Sequence, residues 1–281
     1  MIVSRRPAAR MARASRRIAL AVAIVLALAP IYWLVQMATE SQAQVVAKRP
    51  SFFPSFSSFG GISHPPANAP VTSWFVNTAL VSVGTAILAV LLATVAAFGL
   101  SRFRFRGNGP LRFLVLFTQM LPGTLLIVPL YAMITQLNLL DNLVSLVLVD
   151  TAFVMPVCLW IIKGSMDSIP RELDEAALVD GSTMLGVLRR VVVPLAVPGI
   201  GAAAVIAFFF GWNDFLFANT FMISQDKWPL SKGLDSLIGV YSVPVPLIMA
   251  VAVLYCLPPM VFFVLMQRRL VSGLTAGAVK G

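Results

Sequence analysis

Side chains able to do acid-base, nucleophilic or metal chemistry are scarce in this 281-residue chain, which has eleven Asp and Glu, one His and two Cys. Five of the carboxylates, Asp167, Glu172, Asp174, Glu175 and Asp180, fall in one short stretch, whereas Asp150 and Asp214 stand among apolar neighbours. Nucleophilic catalysis needs a Ser or Cys beside a His base that an acid orients, and the lone His64, between Ser63 and Pro65, has no Cys or carboxylate near it in sequence. The phosphate-cradling pattern G-x-x-x-x-G-K-[ST] is absent, so no nucleotide site of that type is present. No residue is assigned a catalytic or metal-binding role. What remains is the chemistry of charge at a helix end and of hydrogen-bonding groups buried among apolar ones.

The elements that must position these groups follow from the spacing of charge. The chain is 59% hydrophobic and 11% charged, against about 25% charged in an ordinary soluble domain. Long uncharged runs lie between Arg17 and Glu40, Arg112 and Asp141, Arg190 and Asp214, and Asp235 and Arg268. Each can hold the roughly 20 apolar residues that cross a bilayer core. With Trp74 to Leu100 and the stretch from Leu143 to Ile162, interrupted only by Asp150, the pattern predicts six transmembrane helices. They are placed at about 18–38, 74–100, 113–135, 143–163, 195–218 and 245–267. Cys158 and Cys256 fall inside these spans and read as small packing residues.

The basic residues give an orientation. With the N-terminus inside, 17 of the 21 Lys and Arg lie on the cytoplasmic side, which places both termini in the cytoplasm. A net charge of +10 distributed in this way, without a basic stripe interleaved with aromatics, argues against nucleic acid. The run from Ile18 to Ala38 exceeds the core of a secretory signal and reads as a retained span. After it, the stretch from Thr39 to Ser73 is rich in Pro, Ser, Phe and Gly and predicts an ordered loop over the outer mouth, with Phe52, Phe53, Phe56 and Phe59 as headgroup-level anchors.

Between the fourth and fifth spans the chain reads SIPRELDEAALVDGSTMLGVLRRVVVPLAVP from Ser168. Pro170 suits a first helical turn, and Glu172, Asp174 and Glu175 put negative charge where free backbone N–H groups favour it. Ile169, Leu173, Ala176 and Ala177 are expected to form one apolar face. Gly181 should end the helix in a left-handed cap, and a second helix should run from Ser182 or Thr183 to Val193 and stop at Pro194. In the fifth span, Trp212, Asn213 and Asp214 offer an aromatic face and polar groups to a translocation pathway, or hydrogen bonds between helices. Asp150 is expected near the outer end of its helix, beside Asn142 and Ser145.

Glu175, Ala176, Ala177, Asp180, Gly181, Val191, Val193 and Pro194 have the identities and spacing that resemble the EAA loop of ABC-importer permeases, with valines where that family prefers isoleucine and leucine. From about residue 74 the likeness to MalG-type carbohydrate permeases continues through Leu100–Phe105, Gly211–Phe215 and the tail from Gln267. The resemblance implies an all-α integral membrane protein with a MetI-like permease core at 74–281, an EAA loop at about 168–198, and residues 1–73 as basic segment, first span and extracytoplasmic loop. It implies a permease subunit, not an enzyme, that carries a carbohydrate across a bacterial plasma (inner) membrane. The partners implied are a second permease subunit, an ATPase dimer that holds the ATP-Mg, an extracytoplasmic substrate-binding protein and membrane lipid. No cofactor is implied on this chain. Glu175 would pair with a basic residue of the ATPase or complement its own helix terminus. The alternatives are a permease for a glycerophosphodiester or polyol and, in a different class, a carrier driven by an ion gradient.

Overall fold

A computed structural model describes residues 6–46, 52–54, 69–238 and 244–278, with side chains described for 15–45, 52–54, 69–238 and 244–265. Phe56, Phe59, His64 and the side chains of the tail from Gln267 lie outside the described residues. The described chain is helical throughout. In order come α1 (Arg6–Thr39), α2 (Gln42–Val46), α3 (Val71–Arg102), α4 (Asn108–Thr118), α5 (Ile127–Gln136) and α6 (Leu143–Asp167). They are followed by α7 (Glu172–Val179), α8 (Met184–Val187), α9 (Val193–Trp212), α10 (Leu216–Phe221), α11 (Leu230–Ser236) and α12 (Val245–Ala278).

The chain divides into two compact units, residues 1–69 with 237–256 and residues 70–236 with 257–281. In the first, the apolar part of α1, Ser15–Thr39, is long enough to cross a membrane. Ser41 and Gln44 exchange backbone and side-chain bonds at the start of α2, so that each satisfies a backbone N–H of the other. Phe52 and Phe53 are exposed, and the Phe52 carbonyl accepts a bond from the Tyr32 hydroxyl.

In the second unit α3, α6 and α9 pack around one core. Small side chains make the approach close: Ala89, Ala93 and Ala97 recur every four residues along one face of α3, and Ala196, Ala203 and Ala207 are buried on α9. Gly211 is the tightest of these approaches to backbone, since a Cβ there would lie 3.1 Å from Ser82 Cα. α3 and α6 run in the same direction. The start of α3 meets the 225–228 segment through Trp74 and Asn77, the residue before Asn142 that caps α6 meets Ser224, and the far ends meet through Ser101 and Asp167.

Two parallel helices joined in sequence require the chain between them to return along the bundle, a distance of roughly 40 Å at 1.5 Å per residue. The expected third span, 113–135, makes that return as a broken pair and not as one helix. Asn108–Thr118 and Gly123–Gln136 meet at 91°. The break carries Pro122 in extended backbone (φ −68°, ψ 129°), a conformation that cannot continue a helix. Among the described residues, five helices are therefore long and apolar enough to span, or six with the bent pair as one.

The other differences concern ends. α9 stops at Trp212, so that the expected fifth span 195–218 is shorter at its far end and begins earlier at its near end. Pro194 does not stop the helix. Val193 donates its N–H to Leu188 in a π-turn over Leu188–Val192, which shifts the ladder by one residue and lets Pro194 enter where a fresh α segment needs no N–H. The expected second span at 74–100 and fourth span at 143–163 are extended to Val71–Arg102 and Leu143–Asp167.

Candidate functional site

The 168–194 segment sits at the end of the bundle where α3 and α6 finish. α7 opens with Glu172, Asp174 and Glu175 in its first turn, in keeping with the free N–H groups there. It closes as the sequence predicts. Gly181 has φ +84°, its N–H bonds to Leu178 O at 3.0 Å, and Ser182 N–H reaches Ala177 O at 2.9 Å. This is a Schellman cap, and only glycine takes the conformation without a Cβ penalty. The Thr183 side chain then accepts from Gly186 N at 3.2 Å and opens α8, which continues through the π-turn into α9. The segment is thus two capped turns of helix fused to a span.

The expected apolar face of α7 is not the buried one. Ile169 is buried before the helix starts and Ala177 packs on the core, but Leu173 and Ala176 are exposed. The reason is Asp174, which turns inward to an ion pair with Arg102 Nε at 2.6 Å. Arg102 also donates to Ile169 O at 3.3 Å, and Arg171 crosses back to Ser101 O at 2.8 Å. Ser101 Oγ donates to Asp167 Oδ1 at 2.6 Å, and Lys163 pairs with the same carboxylate. Sequence reasoning missed this set. Its signal was the placement of Arg102 at the last turn of an apolar run and of acids at the start of the next helix.

With that side turned in, the other side is left open. Glu175, Ala176, Asp180 and Gly181 are exposed, as are Leu173, Leu178, Met184 and Leu185, and Val179 reaches 88% exposure. Val191 is half-buried and Pro194 exposed, while Val187, Leu188 and Val192 turn to the core. A small apolar patch rimmed by carboxylates is suited to a protein partner.

The second group of expected site residues lies at the other end of the bundle, and the structure divides it. Trp212 is 1% exposed, stacks on Phe208 with centroids 5.4 Å apart and meets Phe75 edge-on at 5.7 Å. It lines an all-apolar groove of about 420 Å³ with Phe75, Phe208, Pro258 and Phe262. Asn213 and Asp214 line a different cavity, of about 700 Å³, with Phe153, Phe209, Phe210 and Phe217. Asp214 lies beyond the end of α9 and not within a span. Its carboxylate accepts from the N–H groups of Phe217 at 3.1 Å and Ala218 at 3.0 Å, and so caps α10. Burial pushes this carboxyl up to about 6, against the downward pull of those amides. Asn213 donates to Phe209 O at 2.8 Å and is exposed. Aromatic rings around a few polar groups suit a ligand with both apolar and hydroxylated faces.

Asp150 differs from expectation. It lies two turns into α6 with 0% exposure, and neither carboxylate oxygen has a hydrogen-bond partner among the described residues. At the same end, Asp141 makes a joint of several charge-assisted bonds, also unread from sequence. It takes φ +56° and accepts from Ile223 N and Ser224 N, both at 2.9 Å, from Ser224 Oγ at 2.6 Å and from Lys227 Nζ at 2.9 Å. Burial alone would raise this carboxyl, but these donors hold it well below the usual carboxylate range.

Comparison with known proteins gives the family. The model for the binding-protein-dependent transport system inner membrane component matches residues 87–276. The chain is 32% identical to the sulfoquinovosyl glycerol transport system permease protein SmoH of Agrobacterium fabrum, over 95% of this chain and 93% of that one. It is 31% identical to the trehalose transport system permease protein SugB of Mycobacterium tuberculosis, over 91% and 93%. Among solved structures, a chain of a bacterial ABC transporter involved in the import of the acidic polysaccharide alginate superposes with a TM-score of 0.80 at 21% identity, covering 95% of this chain and 99% of that one, a likeness of fold.

Proposed function

The chain belongs to the family of binding-protein-dependent transport system inner membrane components, and from that premise we propose that it is the permease subunit of an ATP-driven importer of a carbohydrate. Membership sets aside the carrier driven by an ion gradient, and it makes ATP hydrolysis the work of a separate chain. Sugar and sugar-glycoside transport in the named relatives supports the carbohydrate reading. The partners are then a second permease, an ATPase dimer that binds ATP-Mg and an extracytoplasmic binding protein. The excess of Lys and Arg on one side supports an inner-membrane orientation with both termini in the cytoplasm.

The observation that carries the reading is the 168–194 segment. It is a short helix with a glycine cap, an open face that includes Val179, and direct continuity into α9. An element of this kind docks into a groove of the ATPase subunit and passes its closure to the spans as a rigid-body movement. Glu175, Ala176, Ala177, Asp180 and Gly181 form the docked turn, with Val191 and Pro194 at the junction to the span. Trp212, Asn213 and Asp214 stand at the pathway, Asn213 beside the solute, Asp214 as the cap that shapes the cavity wall and Trp212 behind them.

The test is ATP-driven uptake by the intact complex in vesicles, with a panel of disaccharides and sugar glycosides. Gly181→Pro, which cannot adopt φ +84°, and Glu175→Lys are expected to abolish uptake with membrane insertion intact. Normal uptake by both variants overturns the coupling assignment.

A further inference from the structure

A segment that receives a push from another protein must deliver it to the spans, and the peptide chain is one route, running back into α6 and on through α8 into α9. The geometry points to a second route: Arg102 and Asp174 are positioning residues that clasp α7 to the end of α3, so that α3 and α9 move with the docked helix as one body. The inference rests on the reading of the 168–194 segment as the ATPase-coupling element.

Three features separate this clasp from ordinary packing. First, the inward side chain of α7 is a charge, while its leucines and Val179 stay outside. A buried ion pair is a poor way to gain stability, because desolvation offsets the attraction, but it fixes one geometry. The Arg102 and Asp174 side chains are 6% and 12% exposed and meet at 2.6 Å. Second, bonds cross the joint in both directions. Arg102 of α3 reaches Ile169 O, and Arg171, just before α7, reaches Ser101 O of α3. Two crossed links resist rotation as well as separation. Third, the same end of α3 is bonded to the last turn of α6 through Ser101 and Asp167. The first turn of α7 therefore meets a platform made of two helix ends, while its other end is a glycine joint.

The experiment uses the complete importer in proteoliposomes and reads solute taken up per ATP hydrolysed. Arg102→Asp and Asp174→Arg should each lower this ratio about tenfold or more, the size of a typical coupling free energy between sites. The exchange Arg102→Asp with Asp174→Arg should recover most of it, which a loss of fold would not allow. A normal ratio in both single variants overturns the clasp. Where a single variant does not assemble, the unaltered clasp is followed instead by spin labels on Phe103→Cys and on Glu172→Cys, in the first turn of α7. A distance distribution that stays constant between the nucleotide-free and vanadate-trapped states supports the clasp, and one that shifts overturns it. Absence of ATP-driven uptake by the wild-type complex would count against the proposed function itself, and normal coupling by the variants against the clasp alone.

Discussion

The two ends of the α3–α6–α9 bundle are joined in different ways. At the 221–233 end the links of the joint are made to partners in the same chain. The Trp74 indole donates to Gln225 O at 2.8 Å, Asn77 donates to the carbonyls of Asp226 and Trp228, and Asp141 is filled by four donors from the 223–227 segment. Gly233 lies against the Trp74 ring so closely that a Cβ would come within 2.2 Å of it. At the 168–194 end the chain is held by one edge only, through Arg102 and Arg171, and the opposite edge is a patch of leucine, methionine and valine. A joint whose polar links are made within the chain is finished by folding. A joint answered on one side is finished by another protein.

Substitutions at the two ends should therefore differ in kind. The largest effect on stability is expected for Gly233→Ala, which forces the buried Trp74 ring to move and should cost about 1–3 kcal/mol or more. The thermal midpoint of the detergent-solubilised protein reads this, with Gly201→Ala, which meets nothing within 4 Å, as the control. Equal midpoints for the two would remove the idea of a locked end. Next comes Asp141→Asn, which weakens several charge-assisted bonds and should cost about 1.5–3 kcal/mol. Because the Asp141 pKa is depressed in the folded chain, its stabilisation is complete above the ordinary value of 3.8 and disappears as pH falls below it. Asp141→Asn should abolish that part of the acid sensitivity, and an unchanged acid profile would contradict the assignment. The smallest effect on stability is expected for Val179→Ser, within about 0.5 kcal/mol. That variant should instead reduce the yield of ATPase subunit that co-purifies with the chain. Unfolding by Val179→Ser, with normal ATPase recovery from its folded fraction, would erase the distinction between the ends.

Much of this was legible because charge is rare in the chain. Uncharged runs mark the spans, and a cluster of five acids marks the one segment built for something else. Gly181 was readable since a single residue's freedom at φ > 0 decides the cap. The burial of α7 was not, because Asp174 and Arg102 are 72 positions apart and periodicity within one helix does not register a distant partner. The break at Thr118 to Gly123 was hidden for a related reason: an apolar run reports length and not direction, and Pro122 alone did not distinguish a kink from a right-angled turn. At the other site, adjacency in sequence joined Trp212, Asn213 and Asp214, whereas the end of α9 at Trp212 separates the first from the others.

The central claim is that the open edge of the 168–194 segment is completed by an ATPase subunit. A photoreactive amino acid in place of Val179, in the assembled importer, tests it directly, with the same group at the exposed Phe53 as a control. An adduct between this chain and the ATPase subunit is expected from position 179 and none from position 53. Adducts from position 179 that contain only lipid, the partner permease or this chain itself would contradict it.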